Sequence, residues 1–276
     1  MTPAYFTTEA GTFEPTQFAQ SLWAPATLSG PPVCGLMARE IETRYFTDGF
    51  APARFTVDLH RAVPAVPMTV HSTVVRDGKR VRAVEVELRA DGAVIARGSA
   101  LLLKRSTQPP GELWQANHDR PLPPPNVLAL VGEGTHLFGS DGQGWSTTMS
   151  DHENTTRKRK WVRNIPVVAG EPGTPFSFAA MTGEQTSLVT NWGTEGIGFI
   201  NTDVSITFSR LPIGTEMGLE ADNHFSDDGI AAGSAVLYDA QGAFGICTTT
   251  ALANPHAQIS GAVIDAMSEH FAKTTG

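Results

Sequence analysis

Cysteine is nearly missing from this chain: Cys34 and Cys247 are the two among 276 residues, and they form no metal or redox spacing. Charge is sparse as well. Asp, Glu, Lys and Arg make up 17% of the residues against 41% apolar ones, which excludes a disordered or coiled-coil chain. Negative charge exceeds positive by eight, which argues against a nucleic-acid partner. Apolar runs such as Leu101–Leu103 and Val127–Val131 are far too short to span a bilayer, so no membrane partner is expected. The first twenty residues carry Glu9 and Glu14 and lack a basic start with an apolar centre, so the expected location is the cytoplasm. Familiar catalytic signatures are absent too. There is no G-x-S-x-G elbow, no phosphate loop, and Gly132-Glu133-Gly134 lacks the third glycine of a dinucleotide loop. The eight histidines are scattered, with no His-x-x-x-His or Cys-x-x-Cys spacing, so no metal and no cofactor is expected.

Punctuation, in contrast, is dense: 27 glycines and 19 prolines favour short strands and turns over long helices. Arg54–His60 alternates apolar and polar residues as a half-buried strand does. Val84, Val86 and Leu88 alternate with Glu85, Glu87 and Arg89, and Ile95–Leu103 closes as a more apolar strand. Arg76-Asp77-Gly78-Lys79 and Asp91-Gly92 supply tight turns, so the segment reads as an antiparallel meander. Ahead of it, residues 31–42 read as a helix with Met37, Ile41 and Tyr45 on one stripe. Phe13–Leu22 reads as an opening strand or an irregular lead-in. Residues 106–126 contain six prolines and read as a semi-extended linker.

Beyond the linker the pattern returns. Trp145–Met149 and Lys160–Ile165 read as strands, and Thr174-Pro175 starts a helix that runs to about Val189. Strands follow at Ile200–Phe208, Glu216–Phe225, Ile230–Tyr238 and Ala243–Leu252, and a closing helix near Gly261–Ala272 carries Val263, Met267 and Phe271 on one stripe. His60-Arg61-Ala62-Val63-Pro64 matches Ser209-Arg210-Leu211-Pro212, and Asp91-Gly92-Ala93 matches Gln241-Gly242-Ala243, at offsets of 149 and 150 residues (210 − 61 and 241 − 91). The expected architecture is therefore α+β, two copies of a helix and a four-stranded meander, each meander wrapped around its own helix. The expected units are residues 1–105, the linker 106–126, and residues 127–276.

This helix-and-meander duplication resembles the thioesterase II-like (TesB-like) acyl-CoA thioesterases, which have a double hotdog fold. The residues that carry the likeness are Gly30–Arg39 at the first helix, Arg54–Pro64, the turns at Arg76-Asp77-Gly78 and Ala90-Asp91-Gly92, and Asn201–Phe208 with Arg210 and Pro212-Ile213-Gly214. Leu237–Gly242 completes the set. The resemblance implies hydrolysis of an acyl-CoA thioester by water, without a covalent serine intermediate. It places an Asp at the start of a second-half strand, a small hydroxyl residue on the next strand and a Gln on the last. Asp203 stands at the Asp position, where a carboxylate orients and deprotonates water. At the same 149-residue offset the first half has Arg54 (203 − 149), so one carboxylate per chain is expected. The hydroxyl position falls on Asn223 or His224, and the Gln position on Thr249, so two of the three depart from the pattern. The resemblance puts the oxyanion donors at Cys34, Gly35 and Leu36; the plainer reading of Gly35 is a packing glycine between helix and sheet. It also implies homodimers or larger assemblies, with coenzyme A entering only as part of the substrate.

The basic run Arg157–Arg163 stands out in an acidic chain. Arg157, Lys160 and Trp161 suit the phosphates and adenine of coenzyme A, while the bland reading is a solvated or charge-protected strand. Three functions follow for this scaffold: an acyl-CoA thioesterase, a non-catalytic acyl-CoA or fatty-acyl binding protein, or an enoyl-CoA hydratase. The last wants an Asp and a His in one short motif that the sequence lacks.

Overall fold

The computed structural model describes residues 3–47, 49–115 and 120–275, with the last helix beyond residue 268 described by its backbone alone. Residues 116–119 of the expected linker and the side chain of Phe271 lie outside the described residues. In chain order the first half runs β1 (Phe6–Glu9), β2 (Thr12–Pro15), α1 (Gly30–Tyr45), β3 (Phe50–Leu59), β4 (Met68–Asp77), β5 (Val81–Ala90) and β6 (Ala93–Lys104). A single helical turn, α2 (Pro125–Leu128), follows the proline-rich stretch. The second half runs β7 (His136–Ser140), β8 (Gln143–Ser146), β9 (Lys158–Arg163), α3 (Pro175–Glu184), α4 (Thr186–Thr190), β10 (Trp192–Gly193), β11 (Gly196–Ile197), β12 (Phe199–Asn201), β13 (Asp203–Phe208), β14 (Glu216–Asp227), β15 (Ile230–Asp239), β16 (Gly242–Ala253) and α5 (Gly261–Thr275).

The two meanders join into one 14-stranded antiparallel sheet, ordered β1-β2-β4-β5-β6-β3-β13-β16-β15-β14-β9-β7-β8, with β12 also on β16. The halves meet where β3 pairs with β13. There Thr56 lies opposite Ser205, their hydroxyls 3.0 Å apart, and these two residues are themselves 149 positions apart (205 − 56). A residue paired with its own repeat mate marks a local two-fold axis, so the repeat seen in the sequence is a symmetry of the fold. Phe55, Val57, Val204 and Ile206 point inward from this seam, all fully buried. Asp91-Gly92 and Asp228-Gly229 both have positive φ at the two turn residues, the backbone that two-residue hairpins demand.

Each meander packs on its own helix, α1 on β4 and β5 and α3 on β13, β14, β15 and β16, and the two helices also meet. α1 and α3 lie side by side, and one core takes Phe55, Leu88 and Met37 from the first half together with Phe176, Ile206 and Leu237 from the second. Sandwiched between α1 and the sheet, α3 is buried on every side from Phe176 to Glu184, so it has no polar stripe to show. Its start is as the sequence implies: the Thr174 hydroxyl accepts the Ser177 N–H, in a reciprocal capping box ahead of Pro175. The expected helix to Val189 breaks at Gln185 into α3 and α4. The expected strand at Trp145–Met149 is shorter and earlier, as β8. Strands β1 and β7 carry too few alternating apolar residues to stand out in the sequence.

Candidate active site

The expected strand Ile200–Phe208 is interrupted at Thr202. Asn201 pairs with Ala251 on β16, and Ser205 pairs with Thr248, so four steps along one strand face three along the other. This bulge reverses which side each residue faces. Asn201 points inward beside buried Ala251, whereas Asp203 points outward, in step with Ser205 and opposite to buried Val204 and Ile206. The Asp203 carboxylate is anchored at one oxygen: Oδ1 accepts the Thr250 N–H at 2.8 Å and the Thr250 hydroxyl. Thr202 Oγ1 lies 2.9 Å from Thr250 Oγ1.

Strand parity sorts the other expected partners. Thr249 faces the helices, and its hydroxyl donates to the Asp203 main-chain oxygen at 2.8 Å, not to the carboxylate. Its neighbour Thr250 makes the carboxylate contact instead. His224, Gly233 and Thr249 form one cross-strand row on the inner face, with the His224 ring 5.9 Å from that of Phe199. Asn223 shares the outer face with Asp203, but β16 and β15 lie between their strands. Three strand spacings are roughly 14 Å, so Asn223 is not a partner of Asp203; its amide donates to Asp222 at 2.9 Å.

The expected oxyanion donors are also displaced. α1 begins at Gly30, so the N–H groups of Cys34, Gly35 and Leu36 already point at carbonyls four residues back. All three are buried. A Cβ on Gly35 would lie 2.6 Å from Met181 Cγ, which makes Gly35 the close-approach point of α1 and α3. Burial, with Glu184 and Cys247 adding to it, pushes the Cys34 thiol well above its usual range, so it is no nucleophile. Among the first N–H groups of α1, that of Ser29 goes to Ala19 O at 2.9 Å, and Pro31 and Pro32 have none. The Gly30 N–H, at the first helical position, has no carbonyl within the helix to bond.

Alternation along β9 splits the basic run. Arg157 and Arg159 lie with Asp141 and Glu220, Arg157 at 3.8 and 3.5 Å and Arg159 at 3.0 Å from Glu220, and Arg163 holds Glu216 at 2.6 Å. Trp161 is buried against Tyr238, ring centroids 5.7 Å apart. Lys158 and Lys160 point inward. Arg157, Lys160 and Trp161 therefore do not form one phosphate-binding surface.

What the sequence reading missed lies inside. Glu184, at the end of α3, is 6% exposed; its Oε1 accepts the Asn201 amide at 2.9 Å, and it rests so closely on Gly30 that a Cβ there would collide with it. Lys160 is 3% exposed, with its ammonium 5.2 Å from the Phe138 ring centre. Burial pushes the Glu184 carboxyl up to about 7, against the pull of Asn201 and Lys160. Burial brings the Lys160 ammonium down to about 7, against the pull of Glu184. The available signal was a single carboxylate closing the otherwise uncharged run Phe176–Gly183.

Two helix-and-meander halves closed about a local two-fold axis define a double hotdog. The tesB protein of Mycobacterium avium subspecies paratuberculosis has a similar fold, at 15% identity and TM-score 0.64 over 90% of this chain and 96% of that one. The acyl-CoA thioesterase II TesB2 of Mycobacterium marinum does too (14% identity, TM-score 0.61, 90% and 93% covered). So does a hot dog protein of unknown function from Alicyclobacillus acidocaldarius (12%, 0.65, 90% and 95%). At these identities the likeness is one of fold. No curated protein matches in sequence. The acyl-CoA thioesterase N-terminal domain matches residues 19–103 and the C-terminal domain residues 110–253. The chain thus belongs to the acyl-CoA thioesterase family and is a thioester hydrolase. No helix among the described residues is long and apolar enough to cross a membrane.

Proposed function

We propose that the chain hydrolyses an acyl-CoA thioester to the free acid and coenzyme A by direct attack of water, with Asp203 as the carboxylate that positions it. The family match over both halves carries the reaction, and a fixed carboxylate supports the residue. With Oδ1 tied to Thr250, the second oxygen is left to accept from water, and Thr250 takes the place expected of Thr249. Coenzyme A enters as part of the substrate, and no separate cofactor is required. The chain works in the cytoplasm, and as a homodimer or larger assembly; the assembly is supported by Phe225, Ile230 and Leu252, 68%, 69% and 49% exposed, on the outer face of β14, β15 and β16.

Thiol release from short-chain, long-chain and aromatic acyl-CoA thioesters, for wild type and Asp203→Asn, tests the reaction and the residue together. Turnover by the wild type establishes the hydrolase, and its collapse in the variant places the water at Asp203. Binding of the esters without turnover returns the chain to a binding protein on this scaffold. One observation favours a second assignment of the same step: Glu184, buried on the other face of the sheet.

A further inference from the structure

The inner face of β7 and β9 carries a polar cluster that the water step does not use. Lys158 and Lys160 alternate inward along β9, opposite Ser140 and Phe138 of β7. His152, from the turn Ser150–His152, and Trp192 of β10 pack against them, and all six residues are more than nine-tenths buried. The rings hold the cluster together. Trp192 lies 5.7 Å from Phe138 and 6.1 Å from His152 between centroids, the Lys158 ammonium 5.6 Å from the Trp192 ring, and the Lys160 ammonium beside Phe138.

Three donors here have no acceptor. Lys160 makes no hydrogen bond among the described residues, and Trp192 Nε1 and His152 Nε2 are buried without a partner. That His152 Nε2 carries a proton follows from its other nitrogen. Ser140 Oγ lies 3.0 Å from His152 Nδ1 and already accepts the Asn154 amide at 3.1 Å. The buried hydroxyl proton therefore goes to Nδ1, and the ring, which burial keeps toward its neutral form, holds its own proton at Nε2. Charge is unbalanced in the same sense. Lys158 donates to neutral oxygens only, those of Asn154 and Thr156, at 2.6 to 2.7 Å. Asp141 pulls on it from the exposed side, where Arg157 and Arg159 hold that carboxylate. His136 is kept neutral by burial and by Lys160. Glu184 thus offsets one of two buried ammoniums, and buried charge left uncompensated is costly.

The fold does not demand these groups. Phe13 pairs with Met68 as Val162 pairs with Met217, both at the 149-residue offset (162 − 13 and 217 − 68). At that offset Lys160 and Lys158 correspond to Gly11 and Glu9, which are exposed. The first half builds the same place in the sheet with neither ammonium. An acyl chain has a way in. β3 ends at Leu59, whose N–H meets Thr202 O at 2.8 Å, and β12 beyond it pairs with β16 alone, so the sheet is open beside the bulge that carries Asp203. From there Asn201 leads inward to Glu184, and Glu184 to Lys160.

We propose that Lys160, His152 and Trp192 form the subsite for a carboxylate at the far end of the acyl group, so that the thioester hydrolysed is that of a dicarboxylic acid. The proposal rests on the thioesterase reading and adds a substrate class to it, whichever carboxylate positions the water. A carboxylate fits the set: one negative charge for the one uncompensated positive charge, acceptor oxygens for three donors, and the Phe138 and Trp192 rings as walls for the methylene chain.

Thiol release by the full chain from adipoyl-CoA and suberoyl-CoA, against hexanoyl-CoA and octanoyl-CoA of equal length, tests it for wild type, Lys160→Met and Trp192→Phe, with melting curves as a check on folding. The wild type is expected to favour the dicarboxylic esters by about tenfold or more in kcat/KM. Lys160→Met is expected to reduce that preference about tenfold, and Trp192→Phe, which keeps a ring and loses the N–H, about threefold. Equal kcat/KM for the two series in the wild type, or a preference that Lys160→Met leaves intact, overturns the proposal, assigns the cluster to buried water only, and leaves the thioesterase reading standing. Should Lys160→Met not fold, an unchanged preference in Trp192→Phe overturns it. If the wild type releases no thiol from any of the four esters, the thioesterase reading falls and the proposal with it.

Discussion

Replacing Phe176 with alanine removes the ring through which the two halves share one core. Phe176 is fully buried and touches three other aromatic rings, Phe46 at 5.1 Å, Phe55 at 5.5 Å and Phe208 at 5.8 Å between centroids. Two of these belong to the first half and one to the second. A buried Phe→Ala change costs about 3–5 kcal/mol in lost transfer energy and cavity, and rigid rings on three sides cannot collapse to fill the space, so the upper part of that range applies. For a chain of this length that is a fall in Tm of roughly 10 °C. Urea unfolding followed by both far-ultraviolet circular dichroism and tryptophan fluorescence checks it. Trp145, Trp161 and Trp192, three of the five tryptophans, lie in the second half, so fluorescence weights that half while dichroism reports both. The expected result is one transition, coincident by the two probes, at a lower midpoint and with unchanged slope. Two separated transitions, or a shift in one probe alone, would refute the shared core, because they would mean that each half unfolds about a core of its own.

Further outcomes concern single groups. Asp239, 2% exposed, accepts Arg210 at 2.6 and 2.8 Å and the N–H groups of Ile213 and Gln241 at 2.8 Å each; Asp239→Asn should cost about 2–4 kcal/mol in denaturant midpoint. Burial raises this carboxyl, but Arg210 and the two N–H groups outweigh it and hold it below the usual carboxylate range. The unfolded chain thus protonates first, and stability is lost as pH falls below about 4, a decline that acid titration should show weakened in Asp239→Asn. Gly245→Ala sets a Cβ 2.7 Å from the Thr207 carbonyl oxygen, main chain that cannot swing away, and should destabilise by about 1–3 kcal/mol in a thermal melt. For Glu184 the sign is opposite. Between about 4.5 and 7 the folded chain keeps a proton that the unfolded chain has released, so wild-type stability falls as pH rises through that window. Glu184→Gln should therefore melt close to wild type at pH 4 and above it at pH 8, by on the order of 2 kcal/mol.

Much of the fold was legible because it depends on period and punctuation. The alternation in Val84–Arg89, the Asp-Gly turns and the 149-residue offset are local or repeated signals, and each survives as a strand, a hairpin or the axis at Thr56–Ser205. The shared core was not legible, since nothing in the pattern of either helix says whether its neighbour is its own sheet alone or the other helix too. The site failed for a related reason. Placing Thr249 rather than Thr250 beside the Asp203 carboxylate is a one-residue error, and in a strand one residue is the whole difference between faces. The bulge at Thr202 flips that parity with no mark in the sequence, because neither Gly nor Pro announces it.

The asymmetry between the halves lies in their charges. A duplicated fold starts with two of everything, and the scaffold has kept its pairs: Thr56 with Ser205, two central helices, two four-stranded meanders. At the positions that face the helix ends and the seam, the pairs have parted in charge. Arg54 corresponds to Asp203 at the 149-residue strand offset, and Arg39 to Glu184 at the 145 residues (174 − 29) that separate the helix N-caps Ser29 and Thr174. In each case the first half carries the cation and the second the carboxylate. The Arg39 place is filled by its ion pair with Glu171, whereas Glu184 keeps an amide, a glycine and a distant ammonium as its company. A structural carboxylate would gain from a close cation, and a buried one held near 7 without that cation reduces stability at neutral pH. Glu184 thus stands beside Gly30, whereas at the corresponding place in the other half Pro175 follows the cap and Arg39 is paired.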